Sequence, residues 1–216
     1  MSKPGIKPAT QKRSQQTRDR LVEALEICLR DKPFDQISVA EIAAKAKVSV
    51  GAVYRRFENK DAFIPVIFEI YRTRLVAFNS SPESRAEIDP EAGLLAGLRT
   101  VSRVAWVFLV AQAHIVRAAH IYGRLRPDLV GEGWTEMLEQ SVTTMLAGLE
   151  AFKDEVKRPI NRETAEIVSY VFNSIFVEKG LYPEDGPGLV VSLEGEAFAQ
   201  EMADLIYAYL VTPKQP

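Results

Sequence analysis

The run Ile37–Phe63, ISVAEIAAKAKVSVGAVYRRFENKDAF, constrains the fold more than any other stretch of the chain. It sets three helix-start signals close together. Ser38 is followed three residues on by Glu41, the reciprocal capping pattern in which each side chain satisfies the other residue's backbone N–H. Ser49 opens a second short helix carrying Val53, Tyr54 and Phe57. Asn59 opens a further helix through Ile64, Ile67, Phe68 and Tyr71 to about Phe78, in which Pro65 is expected to cause a kink near the start. Upstream, Leu21, Val22, Leu25, Cys28 and Leu29 recur at helical spacing from about Ser14 to Arg30, and Asp31-Lys32-Pro33 ends that helix.

Two short capped helices thus flank a tight turn at Lys45–Val48. Ile42, Ala43, Val48, Val53 and Phe57 are needed where these helices pack on each other and on the first helix. Val50, Gly51, Ala52, Tyr54, Arg55 and Arg56 remain for the outside or the edges. A bihelical unit of this size offers its second helix to the major groove of B-DNA. Small residues allow close approach to base edges, and Tyr and Arg reach phosphates. The alternative is three helices packed for other reasons. The charge distribution agrees with a nucleic-acid partner. Residues 1–61 hold 13 Lys/Arg against 8 Asp/Glu, and the remainder holds 14 against 21, although the whole chain is only −2. A solvated tail explains the basic residues of the first twenty positions equally well.

Residues 1–13 read as a flexible basic arm, with Pro4, Gly5 and Pro8 and no apolar period. After a polar stretch at Asn79–Asp89, helical patterning resumes over Glu91–Tyr122, Glu132–Val156, Arg162–Glu178 and Leu193–Leu210, the last two separated by the Pro/Gly cluster Tyr182–Gly188. Alternating strand pairs and internal repeats are missing. The expected fold is all-α, with a small N-terminal helical unit and a larger helical body.

Cys28 is the only cysteine, which excludes an intramolecular disulfide or a cysteine-rich zinc site and fits a reducing cytoplasm. It reads as a small core residue. The polar start Met1–Arg20 has no signal-like apolar segment, so a cytoplasmic location is expected. The apolar stretch Val104–Ala119 is interrupted by Gln112, His114 and Arg117 and is too short for a bilayer, so no membrane partner is expected. Gly-rich phosphate loops, HExxH, GxSxG and Cys–His pairs are missing, which argues against an enzyme and against a cofactor. His114 and His120 lie six apart and do not share the helical face of a two-histidine site, so no metal is expected.

The combination of Phe34, Ile42-Ala43, Val48-Ser49, Gly51, Val53-Tyr54, Phe57 and Lys60 resembles the DNA-binding domain of the TetR family of bacterial one-component regulators. The resemblance covers roughly residues 14–63 and implies a three-helix helix-turn-helix domain there. It further implies a linking helix at 64–79 and a C-terminal ligand-binding and dimerisation domain at 80–216, about nine helices in all. By position it implies that Val50, Gly51 and Ala52 face base edges and that Tyr54 meets a phosphate or a base methyl. Arg56 would lie along the DNA backbone, Lys60 would clamp a phosphate, and Ser38 and Thr17 would be further phosphate contacts. Ser49 and the other helix N-termini add N–H groups for phosphate. Arg55 stands either toward DNA or toward neighbouring helices. Lys47 departs from the family, which usually has glycine in this turn. It is either strained, at a cost on the order of 1 kcal/mol, or a phosphate contact.

For the body, the resemblance implies a homodimer through the last two helices. Ile167, Val171, Ile175, Phe198, Met202, Ile206 and Tyr209 are candidates for that interface, and the other reading is that they face the chain's own core. It also implies a pocket for an unidentified small-molecule effector. Trp106, Phe108, Gln112, His114, Arg117, Tyr122, Trp134, Met137 and Phe172 are the candidate lining, with ordinary core packing as the other reading. The expected function is a repressor of operator DNA released by an apolar or amphipathic ligand. Alternatives are an activator or a protein-responsive regulator of the same fold, or a helical adaptor without DNA binding. Charge reversal at Arg56 and Lys60 would separate the last.

Overall fold

The computed structural model describes residues 8–81, 89–181 and 191–214, and among them the chain is helical with no strand. The helices are α1 (Pro8–Asp31), α2 (Val39–Lys45), α3 (Val50–Tyr54), α4 (Ile64–Ser80), α5 (Leu94–Ala111), α6 (Ala113–Leu125), α7 (Pro127–Glu150), α8 (Arg162–Leu181) and α9 (Gly195–Val211). Three-ten turns occupy Phe34–Gln36, Lys60–Phe63 and Pro90–Ala92. The all-α expectation and the number of helices agree with this architecture.

Several boundaries differ from the sequence reading. α1 reaches back to Pro8, beyond the start expected near Ser14, and proline's fixed φ is compatible with the first turn of a helix. Residues 1–7 of the expected arm, and the Tyr182–Gly188 cluster, lie outside the described residues. Pro65 does not kink a helix interior. It falls in the first turn of α4, where its missing N–H has no partner to lose, and the preceding turn is three-ten. The single helix expected over Glu91–Tyr122 is two helices, broken at Gln112 (φ −109°, ψ 12°). No Pro or Gly marks that break. The Gln112 side chain accepts a hydrogen bond from Arg74.

The chain divides into two compact units. One comprises residues 1–71 and 117–130, the other 72–116 and 131–216. The first unit therefore takes in a segment that the sequence assigns to the body. Its core is Leu21, Leu25, Ile37, Ile42, Val53, Phe63 and Ile67, all essentially inaccessible to solvent. Those residues come from five separate elements, so the unit folds only as a whole.

The second unit is built on the packing of α5 against α9 and α8. Leu94, Leu149, Val156, Val168, Ile206 and Leu210 form its buried centre, with Leu98, Met145, Phe152 and Phe172 packed around it. α5 is long and apolar enough to cross a membrane by length and composition alone, but it carries Arg99 and Arg103 and buries Leu94, Gly97, Ser102 and Leu109 against other helices. Its start is fixed by Gly93 at φ +90° and by Glu155, whose carboxylate accepts the Leu94 N–H at 2.9 Å.

Candidate nucleic-acid interface

Local chemistry sets both short helices. Ser38 Oγ accepts the Glu41 N–H (3.2 Å) and Glu41 Oε2 accepts the Ser38 N–H (2.7 Å), so the reciprocal cap is complete. Glu41 also pairs with Lys32, and that bond, followed by the two to Ser38, draws its carboxyl down to about 2. Ser49 Oγ accepts the Ala52 N–H at 3.2 Å and starts α3. In both serines the hydroxyl oxygen accepts a bond, which leaves its O–H free to donate to a phosphate oxygen.

The turn between α2 and α3 closes in a defined way. Val48 N–H donates to Ala43 C=O (3.0 Å) and Lys47 N–H donates to Ala44 C=O (3.1 Å), the paired bonds of a Schellman motif. That motif requires a left-handed residue just past the C-cap, and Lys47 supplies it at φ 54°. The strain expected from a side chain in that conformation is therefore present. Lys47→Gly should raise stability by about 0.5–1 kcal/mol, read as a higher urea midpoint with an unchanged slope. A lowered midpoint would contradict the strain. Lys47 is exposed, so operator affinity of the same variant at low salt reads whether its ammonium also meets a phosphate.

α3 buries one side chain, Val53. Val50 is 40% and Tyr54 53% exposed, while Gly51 and Arg55 are exposed and Ala52 is half-buried. A Cβ added at Gly51 would meet nothing within 4 Å, so packing does not demand glycine there. Phe57 and Phe63 stack with centroids 4.0 Å apart and anchor the segment after α3. Asn59 Oδ1 accepts the Ala62 N–H (3.1 Å) and starts the second three-ten turn. The result is a short helix with one apolar foot inside and a small, then aromatic and basic, face outside.

The two cations expected at phosphates are engaged elsewhere. Arg56 is half-buried and turns back, donating to Ala52 C=O (3.1 Å) and Ser14 Oγ (3.4 Å). Lys60 Nζ donates to Asp35 C=O at 2.8 Å and lies 4.9 Å from the centre of the Phe34 ring. Thr17 is half-buried on α1 and accepts from Arg20 at 3.5 Å. The exposed candidates that converge on one surface helix are Ser49, Val50, Gly51, Tyr54 and Arg55.

Sequence reasoning did not find Tyr122 and Arg126 in this unit. The Tyr122 ring packs edge-on against Phe34 with centroids 5.1 Å apart. Its hydroxyl accepts the Asp35 N–H (3.0 Å) and donates to Asp35 Oδ1 (2.9 Å). Burial, then the bond to Asp35, pushes the phenol up to about 12, so it remains a donor at neutral pH. Arg126 bonds Asp61 and also pairs with Asp128. The apolar edge of Tyr122 was the available signal, but it read as pocket lining.

Three of the remaining candidate ligand residues take part in ring contacts. Trp106 packs against Phe176 and Phe198, Phe172 stacks on Phe176 at 4.3 Å, and Phe108 stacks on Phe78 at 4.4 Å. Gln112 bonds Arg74, and Arg117 belongs with Tyr122 to the first unit. His114, Trp134 and Met137 are half-buried. An open groove of about 780 Å³ runs along α7, lined by Glu132, Thr135, Glu136, Glu139 and neighbours. Among the described residues no cluster of His, Cys, Asp and Glu could hold a metal ion.

Of the candidate dimer residues, Phe198 and Ile206 point into the chain's own core, because α5 claims that face of α9. Ile167 is exposed, and Val171, Ile175, Met202 and Tyr209 are half-buried, with Tyr209 under the Arg158 guanidinium at 4.1 Å. Leu205, in the apolar pattern of α9, is exposed, and so is Tyr170 on α8, which was not foreseen.

Comparison with known proteins gives a consistent result. Residues 21–65 match the family described as bacterial regulatory proteins, tetR family. Among solved structures, a tetR-family bacterial regulatory protein from Rhodococcus RHA1 is 15% identical, with a TM-score of 0.66 over 92% of this chain and 98% of that one. A tetR-family regulator from Mesorhizobium loti is 16% identical (TM-score 0.59; 92% and 96% covered). A ketosteroid transcriptional regulator of Mycobacterium tuberculosis is 16% identical (TM-score 0.60; 92% and 95% covered). At these identities the likeness establishes the fold. Comparison with curated protein sequences gives no match.

Proposed function

We propose that this chain, whose residues 21–65 match the tetR family of bacterial regulatory proteins, is a repressor that reads operator DNA with α3 and leaves it when a small apolar or amphipathic ligand binds the body. One observation carries the DNA reading. α3 is held by a single buried valine and two caps, so the face bearing Val50, Gly51, Tyr54 and Arg55 is presented outward. That face meets the steric and polar needs of base-edge and phosphate contact in a major groove.

Two further features support the remainder. Ile167 and Tyr170 on α8 and Leu205 on α9 leave apolar surface exposed, which a second copy of the chain would cover. A twofold dimer would set two copies of α3 about one helical turn of DNA apart. Among the described residues Ser102 Oγ and Ser169 Oγ, buried on the helices that carry Trp106 and Phe172, have no hydrogen-bond partner, and a ligand with polar groups would satisfy them. Release is then a population shift, in which the ligand favours a dimer whose reading helices no longer match the operator.

The test is a gel-shift titration against a duplex selected by the protein from a random pool. Affinity should fall steeply with salt, and the selected duplex should bind at least ~1000-fold more tightly than unrelated DNA. Salt-insensitive or unselective binding would sink the reading. Because Arg56 and Lys60 are tied to the protein, charge reversal there would also damage the fold. Arg55→Glu and Tyr54→Ala, both on exposed positions, separate DNA binding from an adaptor role more cleanly.

A further inference from the structure

We propose that Tyr122 and Arg126 are positioning residues of the reading head, holding the two three-ten turns that bracket α2 and α3. The inference rests on the DNA-binding reading above and deepens it. The turn Phe34–Gln36 leads directly into the Ser38 cap of α2, and the turn Lys60–Phe63 follows the segment that leaves α3. Lys60 Nζ on the Asp35 carbonyl ties these turns together, so the two helices sit in a closed loop of chain fastened at its neck.

Both sides of that neck are gripped by the segment that ends α6. Tyr122 makes two bonds to Asp35, one to its N–H and one to its carboxylate, while its ring covers Phe34. Arg126 bonds Asp61, the neighbour of Lys60. Three consecutive groups of one short turn, the Phe34 ring, the Asp35 amide and the Asp35 carbonyl, are thus each occupied by a residue distant in sequence. A structural brace of this kind fixes orientation without touching DNA. Lys60 accordingly serves as the neck fastener, with its ammonium on a carbonyl and above a ring.

Tyr122→Phe tests this in the full chain, since it removes only the hydroxyl and keeps the ring against Phe34. The variant should stay folded, bind the selected operator about fivefold more weakly, and keep the same salt slope, because no charge is lost. The Asp35 amide should exchange faster, having lost its acceptor. Asp35→Ala should weaken binding similarly. Tyr122→Phe should then cost less in the Asp35→Ala background than in the parent, since only its bond to the Asp35 amide is left to lose, and Asp35→Asn, which keeps an acceptor oxygen, should restore most of the affinity. A folded Tyr122→Phe protein with unchanged operator affinity overturns the proposal while leaving the DNA reading intact. A parent protein that selects no sequence sinks the DNA reading and the proposal with it.

Discussion

Truncating Phe63 to alanine should cost about 3–5 kcal/mol, the usual range for removing a fully buried aromatic. Phe63 is completely inaccessible, stacks on Phe57, and sits in the turn that ends the α2–α3 loop. The cavity cannot close easily, because the unit's other core side chains, Leu21, Leu25 and Ile42 among them, are already fully buried in a close-packed interior. Against a typical total stability of about 5–15 kcal/mol, that loss is large enough to populate an unfolded head at ambient temperature. Phe63→Leu should cost far less, about 1 kcal/mol, since most of the apolar volume stays. Urea denaturation followed by circular dichroism reads both. A Phe63→Ala protein within about 1 kcal/mol of the parent would mean that the head does not depend on this core.

A second large effect concerns pH. His120 is buried on α6, 8% exposed, with its ring 5.6 Å from that of Tyr71. Burial, and then the charge of Arg124, push its imidazole down to about 4 from an ordinary 6.5. Between those values the unfolded chain binds the proton and the folded chain does not. Stability from this group is therefore complete above pH 6.5 and is lost as the pH falls through 4. The difference corresponds to roughly 3 kcal/mol. Denaturation at a series of pH values should show the parent losing stability across that window, and His120→Gln and His120→Leu losing correspondingly less. The readout is the pH dependence, which is independent of any fixed packing cost of either substitution. Equal dependence in parent and variants would show that His120 titrates normally.

What the sequence makes legible is local chemistry. Ser38 with Glu41, Ser49 and Asn59 mark helix starts because a side-chain oxygen and an orphan amide lie within three residues of one another, and all three caps form. Lys47 stands out for the same reason, since the turn's own bonds dictate a left-handed residue. What it hides depends on partners distant in the chain. Arg56 and Lys60 look available from their positions, yet Ala52, Ser14 and Asp35 occupy them. Tyr122 looks like pocket lining, and only the fold brings it to Asp35, 87 residues away. The break at Gln112 has no Pro or Gly signal and coincides with a bond to Arg74 on another helix. Likewise Phe198 and Ile206 satisfy the apolar pattern of an interface, but that pattern cannot say whether the covering helix belongs to the same chain.

Selecting duplexes from a random pool in parallel with the parent protein and with Val50→Asn tests most directly whether α3 reads DNA. Val50 opens α3 and is exposed, so an amide there places a new donor and acceptor where the helix would enter the groove. With α3 as the reading helix, the parent enriches a twofold-symmetric motif, and Val50→Asn changes the preferred base at one symmetric pair of positions while leaving the spacing intact. Identical motifs from the two proteins, or no motif from either, would contradict it.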